Sequence, residues 1–125
     1  MNWSAVAAVL LALAVMLGAF GAHALRGRLD AYSMGVYEKA VFYHFVHALG
    51  ILVVSVLPRV EALSVSAAGW VCALLAAGIL LFSGSLYALA MSGVRVLGAV
   101  TPFGGISFIA AWLLLAAALL QHRRG

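Results

Sequence analysis

Charge is scarce in this chain. Of 125 residues, seven are Lys or Arg and three are Asp or Glu, together 8% of the sequence, while 67% are hydrophobic. Soluble domains carry about a quarter charged residues and about half apolar ones, so a water-soluble globule of this composition would lack polar surface. Acidic groups are missing where they would count most, because Asp30, Glu38 and Glu61 fall in connections or at the edges of apolar runs. A carboxylate deep in a span is the usual mark of a coupling-ion pathway. One cysteine, Cys72, excludes an intrachain disulfide and says nothing of redox compartment. Polar and apolar residues nowhere alternate as in a membrane β-strand, which excludes a β-barrel. The net charge of +4 and pI near 9.9 would suit a nucleic-acid binder only if the cations shared a face. They are scattered at the ends of apolar runs, so no nucleic-acid partner is expected.

What the chain has in abundance is long apolar sequence, with a mean hydropathy of +1.21. Four runs, roughly Trp3–Ala22, Ala40–Leu57, Ser66–Met91 and Phe103–Leu120, take up most of it. About 20 apolar residues in a helix cross about 30 Å of hydrocarbon. The expected fold is therefore all-α: a polytopic membrane protein with four transmembrane helices in an antiparallel bundle, at approximately residues 3–23, 36–57, 65–91 and 102–120. Residues 1–125 then form a single domain whose first partner is the lipid bilayer. Ala22-His23-Ala24 resembles a signal-peptidase site, but residues 1–5 carry no cation and the apolar run is long, so the first span is expected to be retained.

Local signals refine the spans. Ala14, Gly18 and Ala22 recur every four residues, the spacing that lets two membrane helices approach closely. Gly84, Gly104 and Gly105 are further candidates for packing. Asp30 reads as an N-cap, Pro58 as the end of the second helix, Ser64 as a cap of the third and Ser92-Gly93 as its stop. Thr101-Pro102 reads as a cap followed by proline in the first turn. Gln121-His122-Arg123-Arg124-Gly125 forms a basic tail at the membrane surface. Four spans put both ends on one side with Arg59, Arg123 and Arg124, against Arg26, Arg28, Lys39 and Arg95 on the other. A count of three against four favours termini outside.

The second span carries most of the chemistry. At 100° per residue, Tyr37, Lys39, Tyr43, His44 and His47 share an arc of roughly 160°, with Val41, Phe42, Phe45, Val46 and Leu49 opposite. The arc should face the bundle, because ionisable groups in lipid cost on the order of 2.5–3.5 kcal/mol when charged. Its partners there are expected from Ser83, Ser85, Tyr87 or backbone carbonyls. A second reading adds His23, so that His23, His44 and His47 gather near one leaflet as ligands of a metal ion or haem. A third is a small-solute or proton transporter with a histidine relay. No nucleophile–base pair is visible, so no catalytic residue is assigned.

GAFGAHAL, VYEKAVFYHFVHALGIL, FSGSLYAL and LGAVTPFGG, in that order, resemble domain of unknown function family 423. That family includes bacterial small membrane proteins and eukaryotic transmembrane protein 256. The resemblance runs almost end to end and implies a small multi-spanning protein of the inner or plasma membrane. It brings no assigned activity, cofactor or catalytic residue. The positions its motifs include are Gly18, Gly21 and His23, then Tyr43, His44 and His47, then Ser83, Gly84, Ser85 and Tyr87, and finally Thr101, Pro102, Gly104 and Gly105. The resulting expectation is a packing or accessory component without cofactor, which self-associates or joins a larger membrane complex.

Overall fold

A computed structural model describes residues 1–124, and the side chains of residues 1–122. Of the basic tail, Gly125 and the side chains of Arg123 and Arg124 lie outside the described residues. The first rod is α1, Trp3–Phe20, prolonged by a π-helical turn at Gly21–Leu25. Helix α2, Ala31–Val56, ends in a 3-10 turn at Leu57–Val60. Helix α3, Val65–Gly78, runs through a π-helical turn, Ile79–Ser83, into α4, Gly84–Ser92. A 3-10 turn at Arg95–Ala99 leads to α5, Thr101–Arg124. These make four apolar rods, Trp3–Leu25, Ala31–Val60, Val65–Ser92 and Arg95–His122, each long enough to cross a membrane.

The ends form where short polar side chains satisfy free backbone groups. Asp30 Oδ1 accepts from the Ser33 N–H at 2.7 Å, and Ser64 Oγ from the Ala67 N–H at 3.1 Å. The Ser33 backbone N–H, then its side chain and the charge of Arg95, hold the exposed Asp30 carboxyl below its ordinary pKa. Gly93 takes a left-handed conformation, φ 73°, and stops α4. Thr101 is different from the expectation: its hydroxyl bonds across to Ser85 Oγ at 2.6 Å. Helix α5 starts at Thr101 itself.

Helix α2 sits at the centre, with α1 on one side and α3, α4 and α5 on the other. Its apolar window is 39% buried, against 17% for the outer rods that contain α1 and α5. Ile51, Val54, Val71, Cys72, Leu75 and Ser83 are sealed between α2 and α3–α4. With no hydrophobic drive between helices in lipid, close approach has to come from small residues. A methyl at Gly104 would meet Phe82 Cβ at 2.7 Å and Cα at 2.8 Å, so α5 touches the backbone of the π-helical turn directly. Gly50 makes room for Trp112 and Gly78 for Phe108 in the same way.

Of the expected packing positions, Ala14 is fully buried and Gly18 lies against Val41. Ala22 is exposed, and the close contact belongs to its neighbour Gly21, against the Tyr37 ring. Gly21 lies seven residues after Ala14, back on the same face of the helix and towards α2, whereas Ala22 is turned about 80° off that face. Gly84 faces open space within 4 Å, and Gly105 barely reaches Phe82 Cδ2 at 4.0 Å.

Candidate functional site

The bundle-facing side of α2 is a seam of polar and aromatic groups. Tyr37, Ala40, His44 and His47 are all buried along it, while Phe42, Val46 and Leu49 are exposed on the far side. Lys39, grouped with the arc by helical angle, is exposed instead, close enough to the helix start for its ammonium to reach water.

Each member of the seam is tied to a different helix. Tyr37 donates its hydroxyl proton to the Leu17 carbonyl of α1. Ser83 Oγ donates to the Ala40 carbonyl at 2.8 Å. His44 Nδ1 and Tyr87 OH are 2.9 Å apart, and the Tyr37 and Tyr87 rings meet edge-on at 5.4 Å. His47 Nδ1 donates to the Tyr43 carbonyl one turn back at 2.8 Å, which fixes the proton on that nitrogen. The His47 ring then stacks on Phe108 of α5, centroids 3.5 Å apart, with Tyr43 parallel at 5.9 Å and Trp112 tilted at 5.8 Å. Ser85 Oγ donates to the Phe82 carbonyl at 3.0 Å, so Thr101 Oγ1 is the donor in their mutual bond.

Many hydrogen-bonding atoms of this seam are consumed in closing the bundle. His44 Nε2 is a fully buried ring nitrogen without a hydrogen-bond partner among the described residues.

The three imidazoles of the metal reading do not meet. His23 is exposed on the π-helical turn after α1, whereas His44 and His47 are buried against other helices. Among the described residues no three His, Cys, Asp or Glu side chains stand together to hold a metal ion. Helix geometry explains the separation. His44 and His47 fall near the middle of the 26-residue α2, about 20 Å from its start, while His23 stays at the rim.

Comparison with known proteins places this arrangement. A family model described as "Protein of unknown function (DUF423)" matches residues 17–105. The chain belongs to the DUF423 family. It is 49% identical over 109 residues to a UPF0382 membrane protein of Staphylococcus epidermidis, with 87% of each chain covered. A UPF0382 membrane protein of Staphylococcus haemolyticus is 48% identical over 103 residues, 82% of each chain. The UPF0382 membrane protein YwdK of Bacillus subtilis is 46% identical over 112 residues, covering 88% of this chain and 89% of the relative. No solved structure matches.

The DUF423 match spans the polar seam from Tyr37 to Thr101 but ends before Ser107, Phe108 and Trp112. Those three complete the site: two aromatics enclose His47, and Ser107 Oγ donates to the Leu74 carbonyl at 2.6 Å. Ser4 and Ser55, bonded at 2.9 Å, pin α1 to α2 at the other end. Sequence reasoning missed all five, because each acts through a partner far along the chain. Gly50 and Gly78 were legible in principle, since a lone glycine within an apolar run marks close approach.

Proposed function

We propose that the protein is a structural or accessory component of the bacterial inner membrane that works as an assembly of copies. The observation that carries this reading is a second, unused lane on α1. Ala7, Ala14 and Gly21 face α2, but one residue further round, Ala5, Ala8, Ala12, Val15, Ala19 and Ala22 are all exposed. They follow the three-and-four spacing of a coiled-coil seam, with alanine at five of six positions. In lipid such a lane gains dispersion contacts only against another helix backbone. Helix α1 leans almost wholly on α2, so this face is free for a second copy. The consumed hydrogen bonds of the α2 seam support a static bundle over a transport path.

Cysteine cross-linking in native membranes tests the reading. Ala12→Cys and Ala19→Cys should form disulfide-linked dimers on mild oxidation, which requires Cα atoms within about 7 Å. Ile109→Cys, on the exposed face of α5, should remain monomeric, and the native thiol of Cys72 is buried and silent. Cross-links from α1 to a different protein would favour a larger complex. Absence of any α1 cross-link would end the proposal. Termini on the outer face follow from the balance of Arg26, Arg28, Lys39 and Arg95 against three cations on the terminal side.

A further inference from the structure

Three surface crevices differ in the charge at their mouths. The largest, about 840 Å3, is bordered by Glu61 and His122, whose Nε2 donates to the Glu61 carbonyl at 2.6 Å. A second, about 220 Å3, lies between α1 and α2 under the exposed Arg26–Glu38 ion pair, 3.3 Å apart. The third, about 310 Å3, runs between the first turns of α1 and α3 across the end of α2. Arg59 stands at its mouth, exposed and without an ion pair among the described residues. No carboxylate lines it.

We infer that this third crevice is a binding site for a single glycerophospholipid with a net negative headgroup. Its walls are graded as such a molecule requires. At the surface are the Arg59 guanidinium and Asn2, whose amide oxygen caps the Ala5 N–H and leaves its NH2 group to donate. Below them Ser55 Oγ donates to the Leu52 carbonyl at 2.6 Å and accepts from Ser4 Oγ, so both hydroxyl protons are committed within the wall. A headgroup phosphate therefore finds donors only at the rim. Deeper still lies Gly69, about 6 Å along α3 from its start, and a methyl there would have nothing within 4 Å. That open apolar floor takes the upper part of an acyl chain. Half-buried Trp3 borders the crevice at the depth where indole rings favour the interface. Charge selects the occupant: an unpaired guanidinium with no carboxylate in the lining favours an anionic lipid, whereas the mouth at Arg26–Glu38 is neutral.

Native mass spectrometry tests this on the full-length protein in mild detergent. Offered equal amounts of phosphatidylglycerol and phosphatidylcholine with matched chains, it should retain phosphatidylglycerol in about fivefold excess, the effect of one interfacial cation. Arg59→Gln should bring the two lipids to parity with helicity unchanged. Gly69→Leu, which fills the floor, should reduce adducts of both; if that variant fails to fold, Arg59→Gln alone decides. Equal loading by the unaltered protein overturns the inference, as does a preference that survives Arg59→Gln. Loss of the preference in Arg26→Gln instead would move the lipid to the opposite end and overturn it equally. Displacement by millimolar inorganic phosphate would reduce the site to one for a free anion.

Discussion

Replacing Gly104 with alanine should cost more than its single methyl suggests. The added carbon would stand 2.7 Å from Phe82 Cβ and 2.8 Å from its Cα, and closer still to its backbone nitrogen. Carbon atoms prefer about 3.5–4.0 Å, so α5 must retreat by roughly 1 Å. No side chain can swing aside, because the obstacle is the main chain of the π-helical turn. Retreat loosens the Ser85–Thr101 bond and the stack of His47 on Phe108 together. Overpacking of this kind costs about 1–3 kcal/mol. Gly84→Ala is the matched control: its methyl meets nothing within 4 Å, and a helical alanine gains about 0.5–1 kcal/mol over glycine. Reversible unfolding in mixed micelles of increasing SDS fraction, followed by far-UV circular dichroism, reads both. Gly104→Ala should unfold earlier than the parent and Gly84→Ala no earlier. Equal behaviour of the two variants would refute the claim that α5 rests on the Phe82 backbone.

The same titration separates other contributions. Tyr87→Phe strips His44 Nδ1 of its partner and leaves both ring nitrogens unpaired, a loss of about 1–3 kcal/mol. His44→Gln, which can still bond Tyr87, should be milder than His44→Leu. Glu38→Ala removes an exposed ion pair and should change stability by ~1 kcal/mol or less. Asp30 has a lowered folded pKa, so its cap contributes fully above the ordinary value of 3.8 and fades as pH falls through the lowered one. Asp30→Asn should keep the helix start while flattening stability below pH 3.8, measured as unfolding midpoint against pH. Cys72 should resist maleimide in mild detergent and react once SDS opens the bundle.

Much of the architecture was legible because lipid imposes simple demands. Span length, the caps Asp30 and Ser64 and the stop at Gly93 follow from backbone groups that must be satisfied locally. The buried arc of Tyr37, His44 and His47 followed from one helical period, with Phe42, Val46 and Leu49 exposed opposite it, but Val41, placed on that far side, packs against Gly18 of α1. Lys39 escaped the arc because its long stem reaches the surface. What the period cannot convey is which helix answers each group. Ser83 meets the Ala40 carbonyl and Phe108 covers His47 only through the way α3–α4 and α5 cross α2. The packing expectation failed at Ala22 because four-residue steps drift round a helix, and the face of Ala14 returns at Gly21, seven residues on.

The pairing of early and late residues sets a timetable for biogenesis. The clasp of Tyr37 on Leu17 joins segments 20 residues apart, so the first hairpin can close soon after both have left the ribosome. His44 must wait for Tyr87, 43 residues later, or roughly 2–9 s at ordinary elongation rates. His47 waits longer, for Phe108 on the last helix to be made. Throughout that interval the nascent hairpin carries two imidazoles whose partners on α4 and α5 have yet to be made.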